Sequence, residues 1–269
     1  MMVPPRQAPH RPPQPAGQAE LIGHLGQPPQ PSPRTQPLTV TGHGPWPAHP
    51  ASITHDKTLF SGQTRFLTTE PILPEQRVLL RHPTRSDEKS WLGNVYVPLC
   101  GKSLDLAFLA EHAETVLGVE YADQAIEEFF IERGLEPTIE AGPPRRYRAD
   151  NYVLFAGDYY DVTSEHLGPL DAVFDRASLV ALDPETRTKY VDHMRSLMAT
   201  GSRMLLMTFS YDQSEMNGPP WSVSEDEVER LYADGFDIEH LETHDVTDDR
   251  FRSRGLSTMI ESAYLLTRE

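Results

Sequence analysis

The sequence predicts an α/β domain, a mostly parallel sheet with helices on both faces, preceded by a tail that cannot fold. Three observations carry this. From about residue 94, short apolar runs rich in β-branched and aromatic residues alternate with amphipathic stretches, the pattern of βαβ units that bury a sheet on both sides. The last two runs, 236–241 and 259–266, follow each other without a convincing helix between them, which suggests an antiparallel hairpin at one edge. More than half of the 25 prolines fall within the first fifty residues.

Residues 1–56 are rich in Pro, Gln, Gly and His and lack periodicity. They bury too little apolar surface to offset the entropy of ordering, so disorder is expected there and the folded domain over 57–269. Residues 94–98 (NVYVP) read as a buried strand closed by a proline and Gly101. A helix follows over 103–112, with Ser103 as N-cap and Leu104, Leu106, Phe108 and Leu109 as its apolar positions. Residues 115–119 (TVLGV) form the next strand, and 122–133 a helix with Ile126, Phe129 and Phe130 on one side and Gly134 as its stop. Two short strands over 152–156 and 171–174 precede a helix over 184–198, opened by a proline. The longest apolar strand, 203–209 (RMLLMTF), leads to a helix over 224–232 whose Ser224 and Glu227 have capping-box spacing.

Composition narrows the function. A formal charge of −16 and a pI near 5.1 argue against nucleic acid, which needs a basic face to displace counterions. No apolar run reaches the length of a membrane span. Cys100 is the single cysteine, which excludes an internal disulfide and suits a reducing compartment, so a cytoplasmic monomer is expected.

In such a sheet, ligands bind beyond the carboxyl ends of the strands, at the topological switch point. The first strand ends in Pro98, Leu99, Cys100, Gly101, Lys102 and Ser103. A phosphate loop would need a glycine where Tyr96 stands, and a dinucleotide fingerprint would need three glycines where only Gly101 is present. This loop therefore suits an uncharged sugar or a methionine moiety. The second strand ends at Glu120, about 20 residues after the glycine turn, where a carboxylate accepts hydrogen bonds from a ribose diol. The third ends at Gly157 and Asp158, placed to receive an adenine amino group. The fourth ends at Asp175 and Arg176, which could equally be a surface ion pair of little weight.

These motifs resemble the thiopurine S-methyltransferase family. The resemblance lies in VPLCGKSLDLAFLAEH (97–112), LGVEYADQAIEEFF (117–130), DAVFDRASLVALDPETRTKY (171–190), SYDQSEMNGPPWSVSEDEVERL (210–231) and the closing AYLLTRE, and covers roughly residues 94–269. It implies a class I methyltransferase: a Rossmann-like, mostly parallel seven-stranded sheet with its last strand reversed, using S-adenosyl-L-methionine. On the family pattern, Leu99 and Gly101 contact the cofactor through backbone, Glu120 holds its ribose, and Gly157 and Asp158 flank its adenine. Arg176 lies beside cofactor and acceptor, Arg250 lies near the acceptor pocket, and Pro219 and Pro220 shape the loop over it. The partner is then a small-molecule thiol or selenol. The family's opening segment carries paired tryptophans, whereas here Trp46 and Trp91 stand apart and residues 62–66 (GQTRF) offer only Phe66 as a lid aromatic.

Other features invite chemistry that the sequence does not support. Cys100 has no histidine placed near it and reads as a packing residue. His240 and His244 have helical metal-pair spacing but fall at the end of a predicted strand with no third ligand. Met204 and Met207 read as core, and Glu225, Asp226, Glu227 and Glu229 as a solvated helix face. Two rivals to a thiol methyltransferase stand at this stage. One is a methyltransferase for selenium, tellurium, thiocyanate or halide acceptors; the other is an inactive protein of the same fold acting through its proline-rich tail.

Overall fold

A computed structural model describes residues 92–269; the tail, Phe66, Trp46, Trp91 and the rest of 1–91 lie outside the described residues. The chain opens with β1 (Leu92–Val97), α1 (Leu104–Ala110), β2 (Ala113–Glu120) and α2 (Asp123–Glu132). Three strands follow, β3 (Thr138–Glu140), β4 (Arg145–Ala149) and β5 (Tyr152–Ala156), and then the short α3 (Ser164–Leu167). Next come β6 (Ala172–Arg176), α4 (Arg187–Leu197), β7 (Arg203–Ser210) and α5 (Glu225–Tyr232). The chain closes with β8 (Phe236–Asp245), α6 (Asp249–Ser253) and β9 (Ile260–Arg268).

One sheet runs β3-β4-β5-β2-β1-β6-β7-β9-β8. Strands β5, β2, β1, β6 and β7 are parallel. β9 runs antiparallel to both β7 and β8, so the reversed strand of the sequence reading is present. Among the described residues the sheet has nine strands, not seven. The two extra ones, β3 and β4, form an antiparallel hairpin on the β5 edge. Nothing in TIE and RRYRA alternates as a strand should: β3 is exposed throughout and Tyr147 is the buried residue of β4. The hairpin holds by pairing with β5, by a short Arg146–Glu140 contact and by Arg145–Asp123 at 2.7 Å.

Alternation along the strands divides the core in two. Tyr96, Met204, Leu206, Tyr264 and Leu266 pack with Tyr190, Met194, Val228 and Leu231 of α4 and α5. Val95, Val97, Leu205, Ala263 and Leu265 face the other way, with Leu106 and Leu109 of α1 and Ile126, Phe129 and Phe130 of α2. Helices therefore cover both faces. Met204 and Met207 are buried as expected.

Several local readings need correction. Leu104, expected in the core, is exposed at the first turn of α1. The fourth helix begins at Arg187, because the Asp183 carboxylate accepts from the Glu185 and Thr186 N–H groups and holds Pro184 in a preceding turn. A short helix, α6, separates the last two strands, capped by Asp248. Ser224 does cap α5, accepting from the Glu227 N–H at 3.3 Å. The Glu227 carboxylate is not part of a solvated face: it pairs with buried Arg187 at 2.7 Å. Among the described residues no helix is long and apolar enough to cross a membrane.

Candidate functional site

The parallel strands end on one edge, and order reverses between β1 and β6, the switch point where such sheets bind ligands. After β1 the chain turns tightly, with Leu99 at φ 44° and Gly101 at φ 51°. A positive φ is strained for leucine, and it is held here by its neighbours. The Cys100 N–H donates to the Val119 carbonyl (2.9 Å), which lays the loop against the end of β2. Cys100 is buried and packs on Gly118, where a Cβ would come within 2.7 Å of its Sγ.

Glu120 brackets this loop. Its Oε2 accepts from the Gly101 N–H (3.0 Å) and its Oε1 from the Ala122 N–H (2.8 Å). Burial pushes its carboxyl up, against the hydrogen bonds from Ala122, Gly101 and Tyr121. Each oxygen of an ionised carboxylate has two acceptor positions, so a ribose diol can still be received. The Gly157 N–H donates to the Glu120 carbonyl (3.0 Å), which joins the third strand end to the second. At Gly157 the crowding neighbour is Pro144, 3.0 Å from where a Cβ would stand. Asp158 Oδ1 accepts from the Tyr160 N–H (2.9 Å), capping the 3-10 turn Tyr159–Asp161.

Asp175 and Arg176 do not pair with each other. Asp175 is fully buried and bonded to Tyr190 (2.8 Å) and to the Leu179 N–H (3.1 Å). The next residues turn sharply, with Ala177 at φ 69°, and Ser178 Oγ donates to the Pro98 carbonyl (2.7 Å). That bond joins the Arg176 turn to the Leu99 loop. Arg176 pairs with Asp105 of α1 at 2.9 Å, with the two side chains 11% and 12% exposed. Among the described residues its Nε is buried without a partner. Glu261 belongs to the same neighbourhood: burial raises its carboxyl, Arg176 and His244 lower it, and Glu242 and Asp105 raise it further.

Leu99, Gly101, Glu120, Gly157, Asp158 and Arg176 thus all lie along one sheet edge. Ser210 of β7 and Asp245 of β8 both register with Ile260, which puts the α6 connection at that edge as well. Arg250 sits on α6, half exposed, with its Nε donating to Asp248 (2.6 Å); no contact joins it to Arg176. Pro219 and Pro220 lie in the 211–224 loop, where their carbonyls accept from Arg254 (3.2 Å) and the Tyr211 hydroxyl (2.6 Å). The Asp105 pairing, the Ser178 bond and buried Arg187 were not legible beforehand, since each joins segments far apart in sequence. A separate cavity of about 320 Å³ opens at the opposite edge, lined by Asn94, Thr115, Arg148, Asp150 and Asn151 among others. None of the expected site residues lines it.

Comparison with known proteins bears on the family. The family model described as Thiopurine S-methyltransferase (TPMT) matches residues 73–269. A thiopurine S-methyltransferase of Nitrosospira multiformis is 47% identical over 175 residues, covering 64% of this chain and 80% of its own. One from Pseudomonas aeruginosa (strain UCBPP-PA14) is 44% identical over 193 residues, covering 71% and 88%. Among solved structures, the N-methyltransferase NodS from Bradyrhizobium japonicum overlays with a TM-score of 0.47 at 10% identity, over 80% of this chain and 99% of its own. By the family model and the two sequence relatives, the chain belongs to the thiopurine S-methyltransferase family, which makes it a methyltransferase that uses S-adenosylmethionine.

Proposed function

We propose that this enzyme methylates the sulfur of small aromatic or heterocyclic thiols, and that Leu99, Gly101, Glu120, Gly157, Asp158 and Arg176 form its donor site. The Glu120 bracket carries this reading. A buried carboxylate clamped by two backbone N–H groups, with acceptor positions remaining, suits two vicinal hydroxyls. The backbone of the Leu99 loop borders the same space without a phosphate cradle. Asp158 stands at the next strand end to receive an exocyclic amine.

S-adenosylmethionine supplies an electrophilic methyl group on a sulfonium and leaves as a neutral thioether. The acceptor sulfur forms the new bond in line with the one that breaks, so alignment and exclusion of water are the protein's main tasks. An aromatic thiol is partly ionised near neutral pH and needs little help from a base. Arg176, at the strand end nearest the switch point, stabilises the thiolate and orients it. Asp105 holds that guanidinium in place.

Calorimetric titration with S-adenosylhomocysteine tests the site, on wild type and Glu120→Ala together. Micromolar binding that collapses in the variant is the expected result. A folded wild type that binds nothing removes the donor site. Thiophenol and mercaptopurine then serve as acceptors against selenite and iodide. Methylation of the inorganic acceptors alone would overturn the thiol assignment.

A further inference from the structure

Helix α4 buries a full positive charge away from the sites described so far. Arg187 is 0% exposed, and enclosing a guanidinium is strongly unfavourable unless hydrogen bonds and a counter-charge compensate. Its Nε donates to the Leu182 carbonyl (3.1 Å), and its Nη1 to the Ser222 carbonyl (3.1 Å) and the Glu227 carboxylate (2.7 Å). Among the described residues its Nη2 is buried without a partner. A pair kept for stability alone would leave no donor orphaned, and apolar residues of similar volume commonly serve as well.

The three acceptors show what the charge holds together. Leu182 closes the 3-10 turn Leu179–Ala181, which follows Arg176. Ser222 belongs to the 211–224 loop that leaves β7 at the same edge, and Glu227 is on α5. The turn and the loop also touch directly, through the Trp221 N–H and the Val180 carbonyl (2.6 Å). Within the loop, Gln213 accepts from the Ser222 N–H (2.9 Å), and the Trp221 ring packs so closely on Gly218 that a Cβ there would lie 2.3 Å from it. The donor side of the edge hangs on other bonds, those of Glu120, Asp158 and Cys100.

We infer that Arg187 is a positioning residue for the methyl acceptor: its planar fork holds the Leu182 and Ser222 carbonyls together, and so fixes the 211–224 loop against the Arg176 turn. This rests on the thiol methyltransferase reading above. A lysine offers a point charge on a flexible stem and cannot hold three acceptors in one plane. The loop then drifts, and acceptor alignment suffers while donor binding does not.

The test compares wild type with Arg187→Lys, Arg187→Met and the double variant Arg187→Met/Glu227→Leu. Three quantities are read: melting temperature, affinity for S-adenosylhomocysteine, and KM and kcat for thiophenol at saturating donor. The single methionine variant leaves Glu227 with only the exposed Arg230 (3.2 Å) as counter-charge and melts lower; the double variant removes both members of the buried pair and recovers most of the loss. The inference expects thiophenol kcat/KM to stay down by about tenfold or more in the double variant, with S-adenosylhomocysteine affinity within about twofold of wild type. Recovery of thiophenol kcat/KM together with the melting temperature would show that Arg187 is merely structural. A parallel loss of donor affinity would overturn the inference too. Should the arginine variants fail to fold, Glu227→Gln retains the fork to both carbonyls, so thiophenol kcat/KM should stay within about twofold of wild type; a loss of about tenfold there would overturn the proposal, since alignment would then follow the counter-charge and not the fork. Wild type that binds no S-adenosylhomocysteine defeats the functional reading itself, a distinct outcome seen before any variant is made.

Discussion

Tyr190 donates its hydroxyl to Asp175 Oδ2 over 2.8 Å, so the strand that carries Arg176 ends on a carboxylate sealed from water. Burial pushes this carboxyl from 3.8 up to about 6, against the hydrogen bonds from Tyr190, Leu179 and Ser178. Between those values the folded protein keeps a proton that the unfolded chain releases. The Asp175 contribution to stability therefore falls as pH rises through that window and is level above it. Asp175→Asn does not titrate there. Denaturant unfolding of both proteins should show the difference moving against wild type by ~2–3 kcal/mol between about pH 4 and pH 7. A difference that does not vary with pH would mean that folding leaves the Asp175 carboxyl unshifted.

Gly118 leaves room for Cys100. A Cβ at 118 would stand 2.7 Å from Cys100 Sγ and 2.9 Å from Leu154 Cδ2. Gly118→Ala should destabilise the protein by about 1–3 kcal/mol through overpacking. Cys100→Ala in the same chain removes the sulfur and should recover part of that loss. Thermal melts of the two single variants and the double variant check it, and strictly additive losses would refute the contact.

Ser224 Oγ takes the Glu227 N–H at the start of α5, and its replacement by alanine should cost about 1 kcal/mol. The same helix anchors the partner of Arg187. Ser224→Ala is therefore expected to lower the melting temperature with no change in S-adenosylhomocysteine affinity, as calorimetry would report.

Asp105 neutralises Arg176 in a nearly enclosed pair. Asp105→Asn removes that carboxylate, and acceptors bearing their own negative charge should gain. The ratio of kcat/KM for mercaptobenzoate to that for thiophenol should rise by roughly threefold to tenfold at low salt. An unchanged ratio would place the acceptor's charge away from Arg176.

The central strands were legible because each is a short, fully apolar run between turn signals, as YVLFA at Tyr152–Ala156 illustrates. Ser224 and Ser103 announced their helices through local chemistry, since an N-cap acts within three residues. The β3–β4 hairpin was not legible. Apart from buried Tyr147 most of its residues are polar or exposed, and it is a strand pair because β5 offers an open edge. Glu120 could be found from its distance to the glycine turn, whereas Asp105 could not be matched to Arg176, 71 positions away. Glu227 shows the same limit: amid acids at the start of a helix it reads as solvated, and the buried arginine that claims it lies 40 residues earlier.

The reversed strand also bears on how the protein is made. β9 lies between β7 and β8 and pairs with both along most of its length, so until residues 260–268 have left the ribosome β7 is paired only on its β6 side and β8 lacks its partner in the sheet. The exposed edges of β7 and β8 are then free to pair with other nascent chains. The sheet is completed only once β9 has been made, and a stop codon anywhere ahead of β9 yields an aggregating fragment rather than a smaller enzyme.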